Sequence, residues 1–186
     1  MRSRGPGLGM GDAVEIAEYD HAWPGAYERE RAAILAALGD LVFAIEHVGS
    51  TSVPGLAAKP IVDIMIGLRT MANGERCVEP LERLGYEYKG EAGIPGRLYF
   101  RKLIDGLRTH HIHLVEHGCD FWERHLLFRD YLRRHPQEVR QYQEMKAGLA
   151  AQYGDDRIGY TEAKTEFIES AVAKARAARD VAGGER

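Results

Sequence analysis

Cysteine is scarce in this sequence: Cys77 and Cys119 are the two thiols, and no CxxC spacing occurs. That excludes a disulfide framework and a thiolate knuckle, and it suits a reducing compartment. Long apolar runs are missing as well. The longest, Ile61 to Leu68, is interrupted by Asp63 and falls far short of the roughly 20 residues a membrane span needs. There is no excess of either charge: 25 Lys and Arg stand against 28 Asp and Glu, a net charge of -3. A general nucleic-acid coat needs a basic surface, so nucleic acid is not the expected partner. Residues 1–13 hold a G-x-G-x-G spacing but no apolar strand before it and no helix directly after, so they read as a loose tail, not a dinucleotide loop. Nor does Met1 to Gly11 contain the apolar stretch of a secretory signal, and a cytoplasmic location is expected.

What is present suits one domain with a sizeable core: 186 residues, 45% of them apolar. We expect that domain over residues 14–178, with a second loose tail at 179–186. Pro24 opens a helix reaching Leu38, where Gly39 ends it. Val42–Val48 reads as a strand, and Pro60–Leu68 as a strand covered on both faces. A helix over Glu75–Leu84 follows, then strands at Tyr86–Lys89 and Leu98–Leu103. Asp105-Gly106 is a hairpin signal leading into a strand at Thr109–Glu116. Thereafter the pattern is helical. Asp120 with Glu123 resembles a capping box opening a helix to Arg134, Pro136 starts another, and a last helix runs from Thr161 to Ala178. The expected class is α/β or α+β: a small mixed sheet flanked by helices, with a C-terminal helical segment.

Asp63 is the first candidate for chemistry. A carboxylate within a doubly covered strand needs a partner, or its desolvation costs several kcal/mol. It either reaches a cleft, meeting a metal, a cation or backbone donors, or it forms a structural salt bridge. Upstream, Gly49-Ser50 follows a strand directly, so the backbone can approach a phosphate closely and Ser50 adds a hydroxyl. Thr51 and Ser52 add two more. The 13 residues between Ser50 and Asp63 allow both to sit at neighbouring strand ends around one cleft.

The run His47-Val48-Gly49-Ser50-Thr51-Ser52-Val53-Pro54-Gly55-Leu56-Ala57-Ala58-Lys59-Pro60-Ile61-Val62-Asp63-Ile64 is similar to the hallmark of the GrpB family. So are Gly90 to Arg97, Arg108 to Val115, His125 to Leu132, and the closing Tyr160 to Lys164 with Phe167-Ile168. The resemblance covers about residues 14–172 and implies a fold of the polymerase-β nucleotidyltransferase type. In that superfamily a GS pair holds nucleotide phosphates, a D-x-D on the next strand binds two divalent metals, and a later strand gives a third acid. By that likeness Gly49, Ser50 and Asp63 are kept, Asp63 and Ser50 being the catalytic candidates with Mg²⁺ or Mn²⁺ as cofactor. Met65 stands at the second acid position and cannot ligate a hard cation. The family also occurs fused to dephospho-coenzyme-A kinase, which implies a role near coenzyme A or nucleotides.

His111 and His113 alternate on one strand, so both side chains face one way and Ile112 and Leu114 the other. With Asp63 they could hold a softer divalent metal as His₂Asp. With Arg97, Arg101 and Arg108 they could instead line an anion pocket, or simply belong to a solvated basic hairpin. Lys59 and Lys164 could reach a phosphate, neutralise Asp63, or lie on the surface. The expected function is binding of a nucleotide or other phosphate-bearing anion around Gly49-Ser50 and Asp63. Two readings remain: nucleotidyl transfer, or a ligand-binding module without the chemistry.

Overall fold

The computed structural model describes residues 16–153 and 156–184, so the expected N-terminal tail lies outside the described residues. Helix α1 (Trp23–Leu38) carries Pro24 in its first turn and stops at Gly39, whose φ of 53° a side chain would disfavour. Strands β1 (Ala44–Val48) and β2 (Val62–Leu68) follow, with a 3₁₀ turn at Ser50–Ser52 between them. The expected helix at 75–84 begins later: Met71–Cys77 is 3₁₀, and α2 covers only Val78–Arg83. Pro80 explains the difference. It has no N–H for the Arg76 carbonyl and its ring would crowd that oxygen, so an α-helix can include Pro80 only in its first turn. Strands β3 (Tyr86–Tyr88), β4 (Leu98–Ile104) and β5 (Leu107–Glu116) come next. The hairpin expected at Asp105-Gly106 forms there, with φ of 52° and 78°.

Four helices close the chain: α3 (Asp120–Arg134), α4 (Pro136–Tyr153), α5 (Arg157–Ala163) and α6 (Thr165–Gly184). The last expected helix is thus two, and α6 continues through residues 179–184, beyond the end expected at Ala178. Asp120 and Glu123 make no side-chain cap on α3. They reach across to α6 instead, taking Arg176 at 2.8 Å and Arg179 at 3.3 Å.

The sheet has five strands in the order β1-β2-β5-β4-β3, with β2 and β5 parallel and every other pair antiparallel. It is the mixed sheet flanked by helices that the sequence pattern implied. Strand alternation sorts its two faces. One presents Ile64, Ile66, Phe100, Ile112 and Leu114 to Trp23, Tyr27, Ile34 and Leu38 of α1 and Leu81 of α2. The other presents Val48, Met65 and Val115 to Trp122 of α3. The C-terminal helices pack on one another and on Val53 and Leu56 of the β1–β2 connection, through Phe128, Leu132, Tyr142, Ala171 and Val172. This second packing suspends α4 and α6 over the β1–β2 turn, and the site depends on it.

Ile112 is fully buried in the face under α1 and α2. Replacing it with alanine is expected to lower stability by about 2–5 kcal/mol, seen as a lower urea midpoint with unchanged slope. A loss below about 1 kcal/mol would contradict the placement of this strand face in the core.

Candidate functional site

The site begins at the end of β1. Gly49 has φ 70°, and a Cβ built there would lie 2.4 Å from Asp63 Oδ2, so only glycine lets the turn close over the carboxylate. The turn is then fixed from within. Ser52 donates its hydroxyl to Gly49 O at 2.6 Å, and Arg133 of α3 donates twice to Ser52 O, at 2.8 and 3.0 Å. Thr51 donates to Ile61 O at 3.3 Å and pairs with His47 Nε2 at 3.0 Å. Burial pushes His47 down to about 4, and since the one Thr51 hydroxyl hydrogen goes to Ile61 O, the neutral ring carries its proton on Nε2 and donates to Thr51 Oγ1. These bonds leave Gly49, Ser50 and Thr51 lining a cleft of about 330 Å³.

Asp63, from β2, lines that cleft. The register sets His111 directly beside it on β5 and His113 one step along the same face. His111 Nδ1 is 3.1 Å and His113 Nε2 3.7 Å from the same oxygen, Asp63 Oδ1. Burial works to raise the Asp63 carboxyl, but the bonds from His111 and His113 outweigh it and hold the group well below the usual carboxylate range. Arg97 lies 3.3 Å from His113 Nδ1. A guanidinium only donates, so His113 Nδ1 accepts and its proton sits on Nε2, toward Asp63. Burial also pushes His113 down from its ordinary value. His125 of α3 joins the wall, giving Nδ1–H to Phe121 O at 2.7 Å and being pushed by burial to about 4.

Three lysines line the same cleft as this carboxylate. Lys59 and Lys164 each place Nζ 4.4 Å from the ring centre of Tyr160. Lys146 of α4 is only 2% exposed, with Nζ donating to Ala57 O and to Ser50 Oγ, the latter at 3.3 Å. Burial first, and the nearby Lys164 second, push it down to about 7. The lining residues thus include three lysines against one carboxylate, Asp63. A second lobe of about 190 Å³ adjoins the first and adds Arg124, Phe128, Tyr142 and Ile168.

Several expected ligands are elsewhere. Arg97 is buried, but its guanidinium is spent on Glu91 O, Ala92 O and His113, behind the cleft wall. Arg101 faces Glu87 across the β3–β4 register, and its Nε is 2.6 Å from that carboxylate. Neither Arg97, Arg101 nor Arg108 lines the cleft, and the Ser52 hydroxyl is consumed in the turn. Lys59, Lys164, His111 and His113 do line it.

Mg²⁺ or Mn²⁺ would require clustered oxygens. Met65 is buried among Val48, Val115 and Trp122. Glu46 lies opposite Met65 but is held by Arg129 at 2.6 Å, and Glu116 accepts the Met71 N–H at 3.4 Å. Asp63, His111 and His113 do meet, yet both rings converge on one oxygen and His113 has Arg97 at its back. Among the described residues no group of three or more His, Cys, Asp or Glu is arranged to hold a metal ion. The residues present do not fit the expected metal.

Lys146, His125 and Tyr160 were missed as site residues. Lys146 left one signal: it falls four residues after Tyr142, on the inward stripe with Val139 and Leu149, where a lysine is out of place.

A family model described as GrpB protein matches residues 13–174. The chain belongs to the GrpB family. It is 42% identical over 163 residues to the UPF0157 protein YqkA of Bacillus subtilis, covering 88% of this chain and 47% of that protein. The chain thus spans about half the length of that relative. The crystal structure of conserved protein GrpB from Enterococcus faecalis is 38% identical, with TM-score 0.79 over 87% of this chain and 96% of that one. A cytoplasmic RNA terminal U-transferase superposes with TM-score 0.49 at 13% identity, over 70% of this chain and 40% of that one. So partial a superposition carries no argument about chemistry. Among the described residues no helix is long and apolar enough to cross a membrane.

Lys146 gives a stability test with a defined sign. Its depression from 10.5 to about 7 means that the folded state disfavours the ammonium. The unfolded chain therefore binds more protons between those two values, and stability rises with pH across that window. Below about 7 the full penalty of the buried charge is present. Lys146→Met should stabilise the protein at pH 6 by on the order of 2 kcal/mol, after allowing for the donors lost to Ala57 and Ser50. The gain should shrink as pH rises to 9. Urea unfolding at pH 6 and 9 checks this, and a pH-independent loss of stability would contradict the assignment.

Proposed function

We propose that this GrpB-family chain binds a nucleotide or other phosphate-bearing small molecule in the cleft over Gly49, Ser50 and Asp63. The observation that carries this reading is the convergence of Lys59, Lys146 and Lys164 on one cavity, beside a turn that only glycine can close. A lysine buried at a cost to stability, with its head group facing a cavity, is an arrangement for a ligand and not for the fold. Phosphate oxygens would take donors from Ser50 and the lysines as charge-assisted hydrogen bonds. The adjoining lobe, with Phe128, Tyr142 and Ile168, offers apolar and aromatic surface to the rest of the molecule.

Nucleotidyl transfer by the two-metal route needs more than one acid. With Met65 in the core and Glu46 and Glu116 engaged elsewhere, Asp63 acts here as the partner of His111 and His113. The reading is therefore a ligand-binding or accessory domain in nucleotide or coenzyme A metabolism.

Thermal-shift measurements with nucleotides and coenzyme-A-like anions, with and without Mg²⁺ or Mn²⁺, test it. A ligand at 100 times its Kd adds about 2.7 kcal/mol to the folded state. We expect a shift that needs no metal and weakens at least tenfold in Lys164→Ala, which loses a charged donor. Asp63→Asn should bind as well or better, since a negative charge is removed. Metal-dependent pyrophosphate release by the wild type, abolished in Asp63→Asn, would overturn this reading and make the chain a transferase.

A further inference from the structure

Resting on the anion-binding reading, the pair formed by Ser50 and Lys146 extends it to a reaction. Ser50 opens the 3₁₀ turn after β1, is half-buried, and lines both lobes of the cleft. Lys146 Nζ lies 3.3 Å from its Oγ, within the looser spacing that a nucleophile and its base have before a substrate binds. The lysine is 2% exposed, and its other hydrogen bond goes to Ala57 O. The ring of Tyr142 is 4.8 Å from the same Nζ. Among the described residues Lys146 makes no ion pair, and both of its hydrogen-bond partners are neutral oxygens.

A buried lysine beside a carboxylate is fixed as the ammonium, whereas one among neutral oxygens gives its proton up readily. In the neutral form, Nζ has a lone pair for the Ser50 hydroxyl hydrogen and keeps an N–H for Ala57 O. Serine paired with lysine in this way is a recurrent nucleophile and base. Burial first, and Lys164 second, agree with that geometry by bringing Lys146 down to about 7.

We propose that Ser50 is a nucleophile and Lys146 its general base, acting on a mixed anhydride of a carboxylic acid and phosphate. Position narrows the substrate to that class. The carbon that Ser50 Oγ reaches lies beside the phosphate held at Ser50 and Lys146, so carbon and phosphorus share one bridging oxygen. The smaller lobe, with Phe128, Tyr142 and Ile168, takes the acyl chain. Ser50 Oγ bonds to the acyl carbon as its proton passes to the Lys146 lone pair. The bond from that carbon to the bridging oxygen breaks, its electron pair leaves with phosphate, and the ammonium gives its proton to the departing group. Lys146 then takes a proton from water as the water oxygen bonds to the acyl carbon, and returns it to Ser50 Oγ as the ester breaks. One water is consumed, and a carboxylic acid and phosphate are released.

Other groups of the cleft bear on the pH dependence. Burial raises Tyr142 and Tyr160, the latter to about 12, and pushes down His113, and His125 to about 4. Asp63 is held low by its two histidines. His111, Lys59 and Lys164 line the same cleft, and a change confined to Lys146 leaves every one of these groups in place.

The test labels the full chain with a short-chain alkyl fluorophosphonate, whose P–F bond breaks as Oγ bonds to phosphorus, and locates the stable adduct by peptide mass spectrometry. Ser50 should carry it, at a rate rising roughly tenfold from pH 6 to pH 8 as Lys146 loses its proton. Lys146→Arg keeps a cation that cannot accept a proton, and should label about a hundredfold more slowly or worse, without that rise. Lys146→Met should do the same. Acetyl phosphate should be hydrolysed with an acceleration over its rate without protein at least tenfold that of p-nitrophenyl acetate, and Ser50→Ala should hydrolyse neither. No adduct on Ser50, or equal labelling of the wild type and both Lys146 variants, would overturn this inference and leave the anion site standing. Lys146-dependent labelling with no preference for acetyl phosphate would overturn the substrate class. If nucleotides and coenzyme-A-like anions then also gave no thermal shift, the anion-binding reading itself would fall.

Discussion

The Lys146 ammonium is held inside the protein by two oxygens, the Ser50 hydroxyl and the Ala57 carbonyl, and the cleft is organised around that placement. It joins α4 to the turn after β1, elements 96 residues apart in the chain. To reach that point, α4 must be suspended over the sheet edge, which the packing of Tyr142 on Phe128 and Phe167 achieves. Val53 and Leu56 extend the same cluster from the β1–β2 connection, so the segment that carries Ser50 is packed against the helices that carry the lysine. The apolar interior and the charged cleft are thus two sides of one arrangement.

Across the cleft the opposite problem is solved. Asp63 is a carboxylate in a covered strand, and Asp63 Oδ1 has His111 and His113 for neighbours, backed by Arg97. Arg97 in turn is fixed by carbonyls of the 90–97 loop. Asp63 is therefore held by the histidines of the sheet, while Lys59, Lys146 and Lys164 line the cavity from the β1–β2 connection and the C-terminal helices. That asymmetry, and not the overall charge of -3, is what bears on the partner.

Local pattern was enough for much of this. Alternation put His111 and His113 on one face, and the glycine turn after a strand proved to be one wall of the cleft. Both inferences depend on a few neighbouring residues. The assignments that failed depend on register or on distant packing. Arg101 lies opposite Glu87 only because β3 pairs with β4 in one particular register, which captures its guanidinium. Arg97 points behind the wall because its loop carbonyls claim it. Pro80 was visible in the sequence, and the delayed start of α2 follows from it. Lys146 was hidden for a different reason: a helix read as an apolar stripe draws attention to Tyr142 and Leu149 and away from the polar residue between them.

A crystal structure with a bound phosphate monoester tests the placement of the anion site most directly. The phosphate should be found in the cleft within hydrogen-bond distance of Lys146 Nζ and Ser50 Oγ, with Lys59 and Lys164 beside it. A phosphate seated instead on the hairpin arginines Arg101 and Arg108, with the cleft holding only solvent, would contradict it.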